Sequence, residues 1–336
     1  MSFKRLDPED FVISADAISS TLWTGNVPTL SQFYTSSTQG SSTNYYLDVY
    51  NTGSSLSGSE VQFSIAYGNK YGSGSLLYNS SVTASSYSRT VYGQYRTLVL
   101  GDENSDFIFG GYTASEFHAI SYDRSRYKES LLPGSLTLLL SSSAGKLYLT
   151  DNSKVTSTVT FLDSGRVYQL VSGSAGTVNT KYTNGYTPGS GSYGYLLPDI
   201  GVILLNTRAI SCPVADGGIA TNITASSGNS DQLLNGKMYE LIRSGSCTLN
   251  SQETITSDYV FIRVRNSEFN YTENPSFISG STGDIIYSDF INNPVTYVTT
   301  VGMYNDNNEL LAVAKLSKPL QKDFTKEALV RVKLDF

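Results

Sequence analysis

Two stretches near the end of the chain, DYVFIRVRN at 258–266 and ALVRVKLDF at 328–336, alternate their side chains with a period of two. Val260, Ile262 and Val264 oppose Phe261, Arg263 and Arg265. Ala328, Val330, Val332, Leu334 and Phe336 oppose Leu329, Arg331, Lys333 and Asp335. In a helix this pattern would scatter apolar groups around the whole circumference, whereas in a strand it gathers them on one face. Both stretches are therefore expected to be strands, the second, which ends in an aromatic residue, tied into a sheet. EVQFSIAYG at 60–68 repeats the pattern, with Val61, Phe63 and Ile65 on one side and Gln62, Ser64 and Ala66 on the other.

The same reading makes strands of YYLDVYN (45–51), FHAISY (117–122) and LTLLLS (136–141). It makes a near-meander of KLYLT, TSTVTFLD and GRVYQLVSG, and a buried strand of GVILLNTRAI (201–210). TYVTTVGMY and ELLAVAKLS flank NDNN, which predicts a strand–turn–strand pair. Helical spacing is found in two places. Tyr87, Val91 and Tyr95 recur every four residues within 84–98, although Gly93 costs about 1 kcal/mol there. Leu233, Leu234, Met238, Leu241 and Ile242 share a face within 230–243. The fold class expected is mainly β with a few short helices, a multi-part antiparallel structure. Its parts are an N-terminal arm or edge element (1–35), a first β-rich domain (36–141), a central Ser/Gly/Tyr-rich region or insertion (142–250) and a C-terminal β-rich assembly region (251–336).

Charged residues make up only 15% of the 336 residues, and the net charge is −6. A nucleic-acid partner is not expected, because that needs a concentrated basic field. From Lys315 onward six basic residues face three acidic ones, a local charge of +3 against −9 elsewhere. Lys318, Lys322, Lys326, Arg331 and Lys333 are accordingly candidates for contact with an acidic neighbour. The N-terminal sequence has no apolar run after its basic residues, so a secretion signal is not expected, and no apolar stretch is long enough to span a bilayer. Cys212 and Cys247 are read as free thiols, not a disulfide framework.

Catalytic chemistry finds little support. His118 is the only histidine. There is no HExxH, no cysteine cluster and no GxSxG elbow, which leaves neither a usual zinc site nor a serine triad. Asp123, Glu129, Asp163 and Asp199 are the acids available for glycoside hydrolysis, and none has a distinctive setting. DNSK, NDNNE and SGNSD miss the EF-hand spacing and read as turns. No cofactor or metal is expected. Contact residues are easier to name. Trp23, beside a turn, anchors either its own body or a neighbour. Arg124 and Arg126 either pair with Asp123 or Glu129 or receive an acidic partner. Phe269, Tyr271 and Phe277 either close a local core or insert into a neighbouring subunit. Tyr182, Tyr186, Tyr193 and Tyr195 lie in a Gly-rich loop at 173–195, suited either to stacking on a glycan or to assembly.

RYKESLLPGSLTLLLS at 126–141, RNSEFNYTENPSF at 265–277 and the segment from TYVTTVGMY to the end at 296–336 together resemble virion structural proteins of contractile-tailed bacteriophages. The likeness is to baseplate or tail-associated proteins of T4-like and cyanobacterial phages. It is firmest over the C-terminal quarter and weaker across 84–141. It implies a non-enzymatic structural subunit of the tail, foremost a baseplate wedge component holding neighbouring tail proteins, found in the virion after assembly in the host cytoplasm. A tail-fibre adaptor and a glycan-binding receptor-recognition module are the alternatives, self-association into a homo-oligomer is a further expected contact, and no membrane partner is implied. No catalytic residue carries over.

Overall fold

The structure, a computed structural model, describes residues 4–35, 46–53, 56–75, 86–179, 181, 183–225 and 231–335. Among these the strands run in order: β1 (Phe11–Thr21), β2 (Thr29–Leu30), β3 (Tyr34–Thr35), β4 (Tyr46–Tyr50), β5 (Val61–Asn69), β6 (Phe107–Phe109), β7 (Tyr112–Ala114), β8 (Glu116–Tyr122), β9 (Ser130–Leu131), β10 (Thr137–Ser141) and β11 (Lys146–Asp151). They continue as β12 (Thr160–Leu162), β13 (Gly165–Ser174), β14 (Thr177–Val178), β15 (Gly194–Leu197), β16 (Val202–Leu205), β17 (Ser246–Thr248), β18 (Asn250–Val264), β19 (Thr296–Tyr304), β20 (Leu310–Lys322) and β21 (Ala328–Asp335). The helices are α1 (Tyr87–Leu100), α2 (Thr207–Ser211), α3 (Asp231–Arg243) and α4 (Ser288–Asn292). The chain is mainly β, as the alternation requires. It divides into a larger unit, Ile18–Glu253, and a smaller one made of Met1–Ala17 and Thr254–Phe336.

In the larger unit one antiparallel sheet runs in the order β2-β17-β10-β11-β13-β15-β16-β8-β5-β4-β3. Position 142, where a domain break was expected, lies in the β10–β11 hairpin, which pairs Leu138 with Leu149 and Ser141 with Lys146. Both faces of the central strands β8, β15 and β16 are buried, so these read as nearly continuous apolar runs, while β4, β10 and β11 toward the ends alternate buried with more open positions. Phe117, Ala119, Val202, Leu204, Tyr195 and Leu197 turn to one side, where they pack with Tyr92 and Val99 of α1 and with Phe107 and Phe109. Ile120, Tyr122, Ile203, Leu205 and Leu196 turn to the other, where they meet Met238, Leu241 and Ile242 of α3. Helix α3 touches β4 and β5 as well as β10 and β17. Those strands lie toward opposite ends of the order, so the sheet curls around α3.

Both helical patterns form helices. Gly101 ends α1 in the left-handed conformation (φ 65°), and its N–H returns to Thr97 O. The buried stripe of α1 is Ser88, Val91, Tyr92 and Val99, with Tyr87 left exposed. The single strand expected at 201–210 is instead a strand followed by a helix. Asn206 caps α2 by accepting from the Ala209 N–H at 3.3 Å, and this turns the chain at the end of β16. An Asn followed by Thr-Arg-Ala is a legible N-cap, and the apolar run in front of it masked the signal.

The smaller unit contains the sheet order β1-β18-β21 and a separate ribbon, β19–β20. β18 and β21 pair antiparallel from Ser257–Asp335 to Val264–Ala328. Val260, Val330 and Val332 form a buried cluster, against which Val301, Met303, Ala314, Leu316 and Leu320 of the ribbon pack. The strand–turn–strand pair expected at 296–317 is this ribbon, extended to Lys322. Phe336 lies outside the described residues.

Candidate functional site

The residues expected to make contacts are placed very differently from one another. Trp23 is 2% exposed, with its ring 5.8 Å from that of Tyr122 and edge-on to Phe63 at 6.4 Å. It is core of the larger unit and not an anchor for a neighbour. Arg124 donates to the Tyr127 carbonyl at 2.7 Å and lies over the Tyr127 ring at 4.6 Å. Arg126 pairs with Glu60 at 2.7 Å and also bonds Thr24. Neither arginine pairs with Asp123, whose carboxylate instead accepts from Ser125. Glu60 is far from Arg126 in sequence, so sequence spacing gave no sign of the pair.

The basic cluster near the C-terminus is dispersed. Lys322 is fully buried, with Nζ 2.6 Å from Asn270 Oδ1 and 3.2 Å from the Asn266 carbonyl. It locks the 265–270 loop and cannot meet an acidic neighbour. Lys326 pairs with Asp323 at 3.3 Å and Lys333 with Asp335 at 2.8 Å. Arg331 lies 5.5 Å from the centre of the Tyr259 ring. Lys318 is exposed and makes no hydrogen bond or ion pair among the described residues. Phe277 packs edge-on against Phe290 at 5.0 Å, closing a local cluster, whereas Phe269 and Tyr271 are exposed.

Of the four tyrosines in the Gly-rich loop, Tyr182 lies outside the described residues. Tyr193 and Tyr195 are buried, their hydroxyls donating to the carbonyls of Gly217 (2.8 Å) and Ile108 (2.5 Å). Their rings therefore offer no face to a glycan. Tyr186 is half-buried and lies where a Cβ on Gly110 would meet its ring at 2.8 Å. The loop nevertheless lines an open cleft of about 880 Å³ in the larger unit, through Thr187, Gly189 and Ser190. The other walls are Tyr112 and Glu116, the 208–216 segment with Arg208, Ser211 and Asp216, and residues 220–224.

Buried polar bonds hold these walls. The Asn206 amide donates to the carbonyls of Ser190 (2.7 Å) and Ser192 (2.8 Å), while its oxygen caps α2. One side chain thus joins the loop to the helix that carries Arg208. Tyr193 ties the third wall through Gly217. Glu116 Oε2 accepts from the Tyr67 hydroxyl (2.5 Å) and the Ala225 N–H (3.0 Å). Burial, and then the Glu116 carboxylate beside it, raises the Tyr67 hydroxyl far above its ordinary pKa. Burial and then Asp216 raise the Cys212 thiol, so it is a weak nucleophile. His118 is wholly buried, 3.2 Å from Thr207 Oγ1, and burial lowers its pKa to about 3. It is neutral and out of reach of solvent.

Among the described residues no group of three or more His, Cys, Asp or Glu is placed to hold a metal ion, and no helix is long and apolar enough to cross a membrane. Cys212 and Cys247 are free thiols. In comparisons with known proteins no family model, curated protein or solved structure matches the chain.

Proposed function

We propose that this chain is a non-catalytic structural subunit of a contractile phage tail, a baseplate wedge component that holds neighbouring tail proteins together. The resemblance of residues 126–141, 265–277 and 296–336 suggests the setting. The observation that carries the structural role is the outer face of the β19–β20 ribbon. Val301, Met303 and Ala314 point inward to the cluster on β18 and β21. Gly302, between two of them, points outward and lies opposite Val313. A Cβ at Gly302 would meet the Tyr304 ring at 3.1 Å and Leu310 at 3.5 Å. Tyr304, Leu310, Leu311 and Val313 are exposed there by 41%, 53%, 68% and 58%. Apolar side chains gathered on one exposed face mark contact surfaces more often than chance exposure does. Fully burying an exposed Leu or Val is worth about 1.5–3 kcal/mol, and a partner covering these part-exposed side chains gains roughly half to two-thirds of that for each.

The partner surface this favours is apolar. That replaces the acidic neighbour suggested by local charge, since the lysines and arginine meant to meet it are mostly engaged within the chain. Mass spectrometry of purified particles and of isolated tails tests the proposal. Presence in the tail fraction is the expected result. Absence from both fractions overturns a virion role, and presence only in heads overturns the tail assignment.

A further inference from the structure

We infer that the cleft bounded by Tyr112, Ser190, Arg208 and Asp216 binds a short neutral saccharide. This stands apart from the tail proposal, because it rests on the larger unit alone. The cleft volume, about 880 Å³, lies within the roughly 300–1,000 Å³ usual for small-molecule sites. Its lining, unlike most such sites, is dominated by hydroxyls, amides and a few charges, which suits a ligand that is itself covered in hydroxyls.

The balance of charge narrows the class. Among the described residues Arg208 is the only cation in the lining, and its side chain makes no hydrogen bond or ion pair there. A phosphorylated ligand would need several donors of that strength. Two carboxylates also line the cleft, which disfavours an anion further. Of the two carboxylates, Glu116 is partly committed to the wall, its Oε2 accepting from Tyr67 and Ala225, which leaves less of it for a cationic ligand. On one segment of chain the lining offers a strong donor, Arg208, beside an acceptor, Asp216. Paired hydroxyls on a sugar ring use both at once. The Ser211 hydroxyl is buried without a hydrogen-bond partner among the described residues and also lies in the lining. Tyr112, packed in part on the core, supplies an aromatic edge of the kind on which the C–H face of a sugar rests.

The walls are set before any ligand arrives. Asn206 joins the 190–192 loop to the helix bearing Arg208, and Tyr193 fixes the segment bearing Asp216 through the Gly217 carbonyl. Fixed walls lower the ordering cost of binding a flexible ligand.

The test is saturation-transfer NMR on the full chain with maltose, lactose and N,N′-diacetylchitobiose, each alongside its phosphorylated or uronic-acid counterpart. Transfer from at least one neutral sugar is expected, with weaker transfer from its charged counterpart. Arg208→Gln and Asp216→Asn are changes at exposed side chains, and both variants should melt like the parent. Each is expected to weaken binding by roughly tenfold, the factor of one charge-assisted hydrogen bond. Transfer from none of the neutral sugars overturns the inference. So does stronger binding of the charged counterparts, or undiminished binding in the double variant.

Discussion

The larger unit covers both faces of the central strands of its sheet, and the smaller unit covers one face. In the larger unit, odd and even positions of β8, β15 and β16 enter two different clusters, one beneath α1 and one around α3. In the smaller unit, β18 and β21 meet the ribbon through Val260, Val330 and Val332, while Leu329 on the opposite face is 65% exposed. A sheet with one solvated face normally alternates apolar with polar. β21 follows this apart from Leu329, with Arg331, Lys333 and Asp335 outward. β20 does not, because Leu311 and Val313 are outward too. The difference teaches that alternation specifies a strand, while apolar residues on the face left bare specify what the strand still has to meet. The larger unit contains the cover for its central strands, and the smaller carries an apolar face that its own described residues leave open.

The sharpest way to break this contrast is to open the self-covered core. Phe117 is fully buried among Tyr92, Tyr95 and Phe107. Phe117→Ala is expected to cost about 3–5 kcal/mol, through lost transfer energy and the cavity left behind. Chemical denaturation of the full chain would show it as a lowered midpoint for the larger unit. A cost under about 1 kcal/mol would mean that the two-sided packing is much looser than described.

The smaller unit has a different weak point. Lys322→Met keeps the volume of the buried side chain but removes the donor to Asn270 Oδ1 and the Asn266 carbonyl. A buried acceptor left unpaired costs about 1–3 kcal/mol. The loss should appear in the smaller unit, with faster amide exchange at 266–270. Unchanged exchange there would show that the loop does not depend on Lys322.

A pH series separates the units more gently. The chain has one histidine, His118, in the larger unit. Its pKa falls from 6.5 to about 3 on folding, because burial penalises the charged form. Below pH 6.5 the unfolded chain takes up a proton that the folded chain refuses. Stability is therefore complete above pH 6.5 and declines as pH falls toward the folded value, by up to about 1.4 kcal/mol per pH unit. Between pH 6.5 and 5 no other side chain in this chain ordinarily titrates. Denaturant midpoints of the larger unit should drop over that interval while those of the smaller unit stay level. A flat profile for both would place His118 in contact with water.

Much of the architecture was legible because it depends on local period. Strands β5, β8, β21 and the second half of β18, and helix α3, all follow from spacing within the segment. The roles of single charged and aromatic residues depend on partners distant in sequence, and those were not legible. Nothing near Arg126 announces Glu60, and nothing in KPLQKDF distinguishes the buried Lys322 from the exposed Lys318. The cleft was half visible. Its Gly-rich loop stood out by composition, but the tyrosines that drew attention are buried, and the lining falls to Thr187 and Ser190. Asn206 and Arg208 were hidden in an apolar run read as one strand, although an Asn ahead of a short helical sequence was a usable signal.

The smallest effect on stability tests the open face itself. Leu311→Ser with Val313→Ser changes side chains that are already 68% and 58% exposed. Their removal takes little out of the folded core, so the change in unfolding free energy should stay within about 0.5 kcal/mol. Both mutant residues are tolerated in a strand, and the inward face of Val301, Met303 and Ala314 is untouched. Incorporation into tails should respond quite differently. If a neighbour covers this face, losing two apolar contacts of about 1–2 kcal/mol each lowers competitive incorporation against the parent by tenfold or more. The defect should also differ from an electrostatic one. Screening weakens contacts between charges and leaves apolar burial nearly unchanged, so raising ionic strength should neither mimic nor rescue it. Reversal of the exposed Lys318 supplies the matching control and should leave incorporation close to that of the parent. A double serine variant that enters tails as well as the parent does would show that the bare face of the ribbon is simply solvated. The contrast between the two units would then be one of folding alone.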